Sequence, residues 1–314
     1  MAECPHTPSL EDSRRIARDF AGESVVELDR YPTGLCHWVY RCETASGRVF
    51  VLRVARPDNR DYIAGGITNG SWLAEQGVPV ARVIGGDTEA DLPWMAVEHL
   101  DGRDLGEVYA DLSRPQKTAL AREIVKIQQN VAELGEGEGF GYTHVAGELA
   151  SFDRWDDVVD GIVQRSLGWL ADTGLDADEE VELVRRRLDE LRPALRDIRP
   201  VPFLDDLTTK NVLVHQGRLS GIVDVDELCY GDRMLWVGLT RMALLNAGHD
   251  VEYVENLLDE LGANGEDPAR CDFYTGLYAF VFLSEQGVAF NGDGEAPDLD
   301  GVAFLRKAVQ EWVK

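Results

Sequence analysis

The chain has 314 residues, 44% of them hydrophobic, and a formal net charge of −26. That length suffices for two lobes with a core each, and the hydrophobic content excludes a disordered polymer. A surface so acidic repels phosphate backbones and anionic lipid, which argues against nucleic acid and membrane as partners and favours a cationic small molecule.

Lysine is confined to Lys117, Lys126, Lys210, Lys307 and Lys314. Arginine carries the remaining positive charge, a bias that fits either a GC-rich genome or adaptation to high salt. Cys4, Cys36, Cys42, Cys229 and Cys271 are scattered, odd in number and without C-x-x-C, so neither a disulfide framework nor a zinc site is expected. The N-terminus has no apolar core of a signal peptide, and the longest apolar run, Leu277–Leu283, is too short for a bilayer. A cytoplasmic location is the expectation.

Ser9-Leu-Glu-Asp12 is a capping box opening a helix to about Phe20. The texture then turns to strand: Val25–Leu28, Trp38–Cys42 and Arg48–Val54, divided by turns at Pro32-Thr33-Gly34 and Ala45-Ser46-Gly47. A helix is predicted around Ile67–Gln76, stopped by Gly77, with strands at Ala81–Ile84 and Trp94–His99. From Asp101 the period becomes helical. Ser113-Arg-Pro-Gln116 is a second capping box, and Leu120, Ile124, Ile127, Val131 and Leu134 mark one buried face. Residues 135–147 read as a loop, because their glycines follow a helix and their glutamates repel phosphate. Phe152–Leu170 is helical, with Trp155, Val158, Val159, Ile162 and Val163 on its apolar side. Val181, Val184, Leu188, Leu191 and Leu195 form another ladder, which Pro193 should end or kink. Further helices are predicted at Arg233–Asn246, Val251–Leu261, Ala269–Phe290 and Leu299–Val313. Asn291-Gly-Asp-Gly-Glu is a turn, and the six histidines form no metal-ligand pair on a helix.

Between the helical stretches lies FLDDLTTKNVLVHQGRLSGIVDVD, from Phe203 to Asp226. Asp206 is followed by Asn211 in a D-x-x-x-x-N pattern, and a hairpin with Gln216-Gly217 at its tip ends at Asp224. Phosphoryl transfer needs these parts: a carboxylate that orients and deprotonates a hydroxyl, plus an amide and a second carboxylate for Mg²⁺. Asp206 is the expected base, and Asn211 and Asp224 the metal ligands. Asp226 would point the same way as Asp224 along an extended chain, as a third ligand, a substrate contact or a solvated charge. The element order predicts an α+β, bilobal, protein-kinase-like fold. A small antiparallel β-sheet N-lobe (1–101) precedes a larger, mainly helical C-lobe (102–314), with Gly102 at the crossing.

The segment LDDLTTKNVLV…GIVDVDE…GD resembles the aminoglycoside phosphotransferase and choline-kinase-like family, which writes it H-G-D-L-x-x-x-N-V-L, I-D-W and G-D-P. FVLRV at 50–54, EQGVPVARV at 75–83 and MAVEHLDG at 95–102 resemble further landmarks of that family, in its order. The resemblance implies an ATP- and Mg²⁺-dependent small-molecule kinase, with GTP as the other candidate nucleotide. With an aminoglycoside acceptor it implies antibiotic resistance. Choline-, sugar-, homoserine- and macrolide-type hydroxyls are other acceptors, and a nucleotide-binding pseudokinase is the alternative class. It also implies that Arg53 meets the phosphates, that Gly34 tops a phosphate loop with His37 beside it, and that Glu98 and Leu100 present backbone to the adenine edge. A strand arginine lying along the surface and a turn histidine are the plainer readings of Arg53 and His37. On the acceptor side, Asp226, Glu227, Asp157, Asp160 and Glu285 are candidates for ammonium groups, with Trp155 as a flat wall.

Three departures stand out. Leu204 replaces the histidine that braces the catalytic loop, so packing is expected to do that work. Trp236 replaces a second aspartate after Gly231-Asp232. The helix that should pair a glutamate with Arg53 carries Gly65 and Gly66 instead, leaving Asp58 or Asp61 as substitutes or no pair at all.

Overall fold

The computed structural model describes residues 7–31, 37–145, 148–288 and 296–314. Two compact units are present: Met1–Asp101 with His144–Ala146 and Ser220–Glu227, and Gly102–Thr143 with Gly147–Leu219 and Leu228–Lys314.

The first unit is built on a five-stranded antiparallel sheet, in the order β1 (Val25–Arg30), β2 (Trp38–Thr44), β3 (Val49–Val54), β5 (Trp94–Glu98), β4 (Val83–Asp87). Side chains alternate across it, so each face has its own core. Trp38, Tyr40, Cys42, Phe50, Leu52 and Val54 pack beneath helix α1 (Leu10–Ala21), through Ile16 and Ala17. The predicted capping box holds the start of α1: Asp12 N–H donates to Ser9 Oγ at 3.0 Å, and Ser9 N–H to Asp12 Oδ2 at 3.1 Å. The other face carries Ala55, Met95 and Val97 against Ile63 of α2 (Arg60–Glu75). Strand parity puts Arg53 on this second face, paired in register with Met95. Helix α2 begins seven residues earlier than its sequence suggests, and its Gly65 and Gly66 are interior helical residues.

The second unit is mainly helical. Between β6 (Arg103–Asp104) and β7 (Gly141–Thr143) lie α3 (Leu105–Val108) and α4 (Arg114–Ala132). Ser113 N–H donates to Gln116 Oε1 at 2.9 Å, completing the second capping box. Leu120, Ile124, Ile127 and Val131 are buried as the periodicity predicts, whereas Leu134 lies beyond the helix end and is partly exposed. Helix α5 (Trp155–Thr173) packs on α6 (Asp178–Arg196), which accommodates Pro193 and continues past it.

After β8 (Val201–Phe203), β9 (Val212–His215) pairs with β6, and β10 (Arg218–Ile222) starts the return of the hairpin. Gln216 and Gly217 both have positive φ, as a tight two-residue hairpin turn requires. β11 (Leu228–Gly231) sits between β7 and β8 in a small sheet that the sequence did not announce. Helices α7 (Met234–Asn246), α8 (Glu252–Leu261), α9 (Asp267–Ser284) and α10 (Leu299–Trp312) complete the unit, with the largely buried α9 at its centre. The α+β, kinase-like class is therefore correct.

Cys42, Cys229 and Cys271 are buried free thiols. Among the described residues no helix is long and apolar enough to cross a membrane. Gly34, Cys36 and the turn at 291–295 lie outside the described residues.

Candidate active site

The loop after β8 carries the candidate base. Asp206 is solvent-exposed, while Leu204 and Leu207 on either side are buried and anchor it. Leu204 is held by more than packing, which corrects the expectation for the missing histidine. The buried Gln128 amide brackets it: Leu204 N–H donates to Gln128 Oε1 at 2.9 Å, and Gln128 Nε2 donates to the Leu204 carbonyl at 2.7 Å. Thr208 N–H donates to the Asp206 carbonyl at 2.8 Å, and Thr209 accepts from Gly106 N–H at 3.0 Å. Asn211 Nδ2 donates to the same Asp206 carbonyl at 2.8 Å. With its nitrogen spent, the amide of Asn211 has its oxygen left for a cation.

Asp205, beside Asp206, is pushed up to about 6 by burial, against a hydrogen bond from Tyr142 that opposes the shift. Glu285, just past the end of α9, is likewise pushed up to about 7 by burial, with Arg165 and Lys210 opposing.

The other acceptor-side candidates are engaged elsewhere. Trp155 is fully buried and donates its indole N–H to Tyr274 Oη at 2.7 Å. Tyr274 donates in turn to Asp232 at 3.0 Å, and Arg270 Nε donates to Asp232 at 2.7 Å. Trp155 is therefore a core residue in a buried polar chain, not a wall for a ligand. A Cβ on Gly231 would lie 2.0 Å from its ring, so only glycine fits there. Asp157 accepts from Arg154 at 2.8 Å and Asp160 from Arg192 at 2.7 Å, so both spend their charge on neighbouring arginines. Trp236 is fully buried in α7.

In the first unit, Asp224 has φ +60, a left-handed conformation that is uncommon for a non-glycine residue and that aspartate tolerates better than most. Its Oδ1 accepts from Arg53 Nη2 at 2.8 Å. Asp226 accepts from Arg53 through both oxygens, at 2.8 and 2.6 Å. Arg53 therefore has acidic partners, but neither Asp58 nor Asp61 supplies them, and Asp226 is spent on Arg53 and not on a substrate. Burial pushes the Asp226 carboxyl up to about 7 against the pull of Arg53. Desolvation acts in the same direction on Asp224, but there the Arg53 charge and hydrogen bond, with His37 and Asp226, together outweigh it and hold the group low.

His37 Nδ1 lies 2.8 Å from Arg53 Nη2. Burial, and then the Arg53 charge, lower its pKa to about 3, so it is neutral. Glu227 is partly exposed near His144, whose ring stacks edge-on with Tyr62. Glu98 is ion-paired with Arg82, and its N–H donates to the Arg82 carbonyl at 2.9 Å; Leu100 is partly exposed.

Sequence reasoning missed Gln128, which looked like one more helical residue, and the role of Asp226. The only signal for Gln128 was a polar residue on the apolar face of α4.

A sequence model described as the phosphotransferase enzyme family matches residues 30–274. The aminoglycoside 3'-phosphotransferase of Streptomyces ribosidificus is 24% identical over 267 residues, covering 77% of this chain and 90% of that protein. Among solved structures, the aminoglycoside phosphotransferase APH(4)-Ia is similar with a TM-score of 0.68 at 18% identity, covering 95% of this chain and 96% of its own. A thermostable mutant of that enzyme, in ternary complex with ADP and hygromycin B, is similar with a TM-score of 0.66 at 18% identity, covering 96% and 97%.

Proposed function

The chain belongs to the phosphotransferase enzyme family, and from that premise we propose that it moves the γ-phosphate of ATP to a hydroxyl of a small cationic molecule of the aminoglycoside class. The observation that carries this reading is the loop from Leu204 to Asn211. It holds one exposed carboxylate on a braced backbone and ties the Asn211 amide to that backbone through its nitrogen. Asp206 orients the acceptor hydroxyl and takes its proton as the oxygen attacks the γ-phosphorus in line, the bond to the bridging oxygen breaks and ADP leaves, with no covalent enzyme intermediate. Asn211 and Asp224 are the residues for Mg²⁺. An amide oxygen and a carboxylate are the hard donors that ion takes alongside phosphate and water, and it would neutralise charge on the phosphates.

Arg53 and His37 serve the phosphates, with Gly34 as a further candidate from the sequence. Glu98 and Leu100 serve the base of the nucleotide through their backbone, and GTP is the second nucleotide to test. The first unit thus has the nucleotide role and the second the catalytic loop and the acceptor.

An aminoglycoside acceptor is supported by the name of the Streptomyces ribosidificus relative and by the hygromycin B bound to a structural neighbour. The excess of acids over bases, 57 against 31, and the placement of Asp205 and Glu285 in the same unit as Asp206 agree with a polyamine ligand. The pseudokinase alternative loses its motive. The brace missing at Leu204 is supplied by Gln128, and the acid missing from α2 is supplied by Asp226.

The test is mass detection of an added phosphoryl group after incubation with ATP, Mg²⁺ and a panel of acceptors. The panel contains aminoglycosides, choline-type, sugar, homoserine-type and macrolide alcohols. Phosphorylation confined to the aminoglycosides is expected; transfer to another class alone would replace the acceptor assignment.

A further inference from the structure

The guanidinium of Arg53 is buried on the α2 face of β3. Both oxygens of Asp226 accept from it, in the parallel two-bond geometry that makes arginine–carboxylate pairs strong and directional. Helix α2 offers no acid to this pair. It offers Gly65, Gly66 and Asn69, and each is shaped to the segment that carries Asp226.

A Cβ on Gly66 would sit 2.5 Å from Asp226 Oδ1 and 2.9 Å from Met95 Sδ. A Cβ on Gly65 would sit 2.1 Å from the Asp226 carbonyl oxygen. Asn69 Nδ2 donates to the carbonyls of His144 at 2.9 Å and Val225 at 3.2 Å. The two glycines, costly in a helix, leave the room that Asp226 and the His144 carbonyl occupy.

We propose that Asp226 is the positioning residue for Arg53: it supplies, from the segment just after Asp224, the carboxylate that fixes the guanidinium for a nucleotide phosphate. The pairing leaves defined donors over. His37 Nδ1 faces an arginine N–H and must accept, so the imidazole proton is on Nε2. His37 Nε2 and Arg53 Nε are buried and have no hydrogen-bond partner among the described residues. Both are N–H donors held in place by the same network, and a phosphate oxygen is the acceptor that suits them.

His37, Asp224 and Asp226 bring ligand atoms within 4.8 Å of one another, as a metal cluster would, but all three gather around one nitrogen, Arg53 Nη2, and share its two N–H groups. The arginine is the cation for His37 and Asp226, whereas Asp224 gives it one oxygen only and is exposed. A substrate role for Asp226 would require both of its oxygens to let go of a buried guanidinium, which is costly.

The inference rests on the phosphotransferase reading for the identity of the ligand, so the test measures nucleotide binding apart from turnover. Full-length wild type, Asp226→Asn, Arg53→Met and the double variant are titrated with ATP and Mg²⁺ by calorimetry, and acceptor KM is measured in parallel. Asp226→Asn is expected to weaken ATP binding about tenfold or more, as for loss of a charged hydrogen-bonded partner. It should leave acceptor KM within about twofold, and it should add nothing in the Arg53→Met background, the mark of action through Arg53.

Unchanged or tighter ATP binding, a shift in acceptor KM instead, or additive losses would overturn the proposal. Failure of wild type to bind ATP or GTP would overturn the nucleotide reading itself. Gly66→Ala keeps both charges and crowds the carboxylate. Should the neutral variant fail to fold, the same selective loss of ATP affinity in Gly66→Ala supports the pairing, and wild-type affinity there refutes it.

Discussion

Gln128 and Glu285 are the side chains whose predicted effects separate most cleanly. Changing Gln128 to Leu removes both partners of the Leu204 backbone and leaves a buried N–H and carbonyl unpaired, at about 1–3 kcal/mol each. Urea unfolding should register that loss. The kcat of the folded variant should fall while the ATP KM stays near wild type, because the loop that carries Asp206 is what loosens. Glu285 is pushed up to about 7, so it is neutral in mild acid and becomes a carboxylate as pH rises through that value. Affinity for an ammonium-bearing acceptor should therefore improve across that window. Glu285→Gln should flatten the pH profile of acceptor KM; a profile that survives the substitution removes Glu285 from the acceptor site. Asp206, Asn211 and Asp224 could be singled out as candidates from the sequence because their spacing is local. The Gln128–Leu204 and Arg53–Asp226 pairs join positions 76 and 173 residues apart, and nothing in local pattern reports such a pairing. Trp155 was the opposite case. Its place on the apolar side of a helical ladder already pointed to the core, and the attraction of an aromatic wall overrode that signal.

Helix α2 shows how an element can be misread for a physical reason. Helix propensity penalises Gly65 and Gly66 by about 1 kcal/mol each, so the sequence suggests a helix only beyond them. Tertiary contact outweighs that cost, because the glycines admit the backbone at His144 and Asp226. Gly65→Ala weighs the two effects directly. Propensity favours alanine by about 1 kcal/mol, whereas a Cβ 2.1 Å from a carbonyl oxygen forces backbone apart and costs about 1–3 kcal/mol or more. Net destabilisation is expected in thermal melting; a more stable variant would mean that the docked segment yields easily. The strands β7, β8 and β11 escaped notice because each has only three or four residues and pairs with a distant partner, giving no alternation to detect.

At the scale of the molecule, the switch from period-two to helical patterning near Asp101 made the α+β class readable, since both periodicities were strong over long stretches. The net charge of −26 suits a cationic ligand but does not identify which acids meet it. Asp157 and Asp160 illustrate this, since Arg154 at the start of α5 and Arg192 on α6 take up their charge. The central claim is that Asp206 is the base in phosphoryl transfer to an aminoglycoside hydroxyl. Its most direct test compares wild type with Asp206→Ala at matched ATP binding and matched melting temperature, reading phosphorylated aminoglycoside by mass. The account predicts product from wild type and a loss of at least about a hundredfold in rate from the variant, the scale of general-base catalysis. Undiminished product from the variant would contradict it.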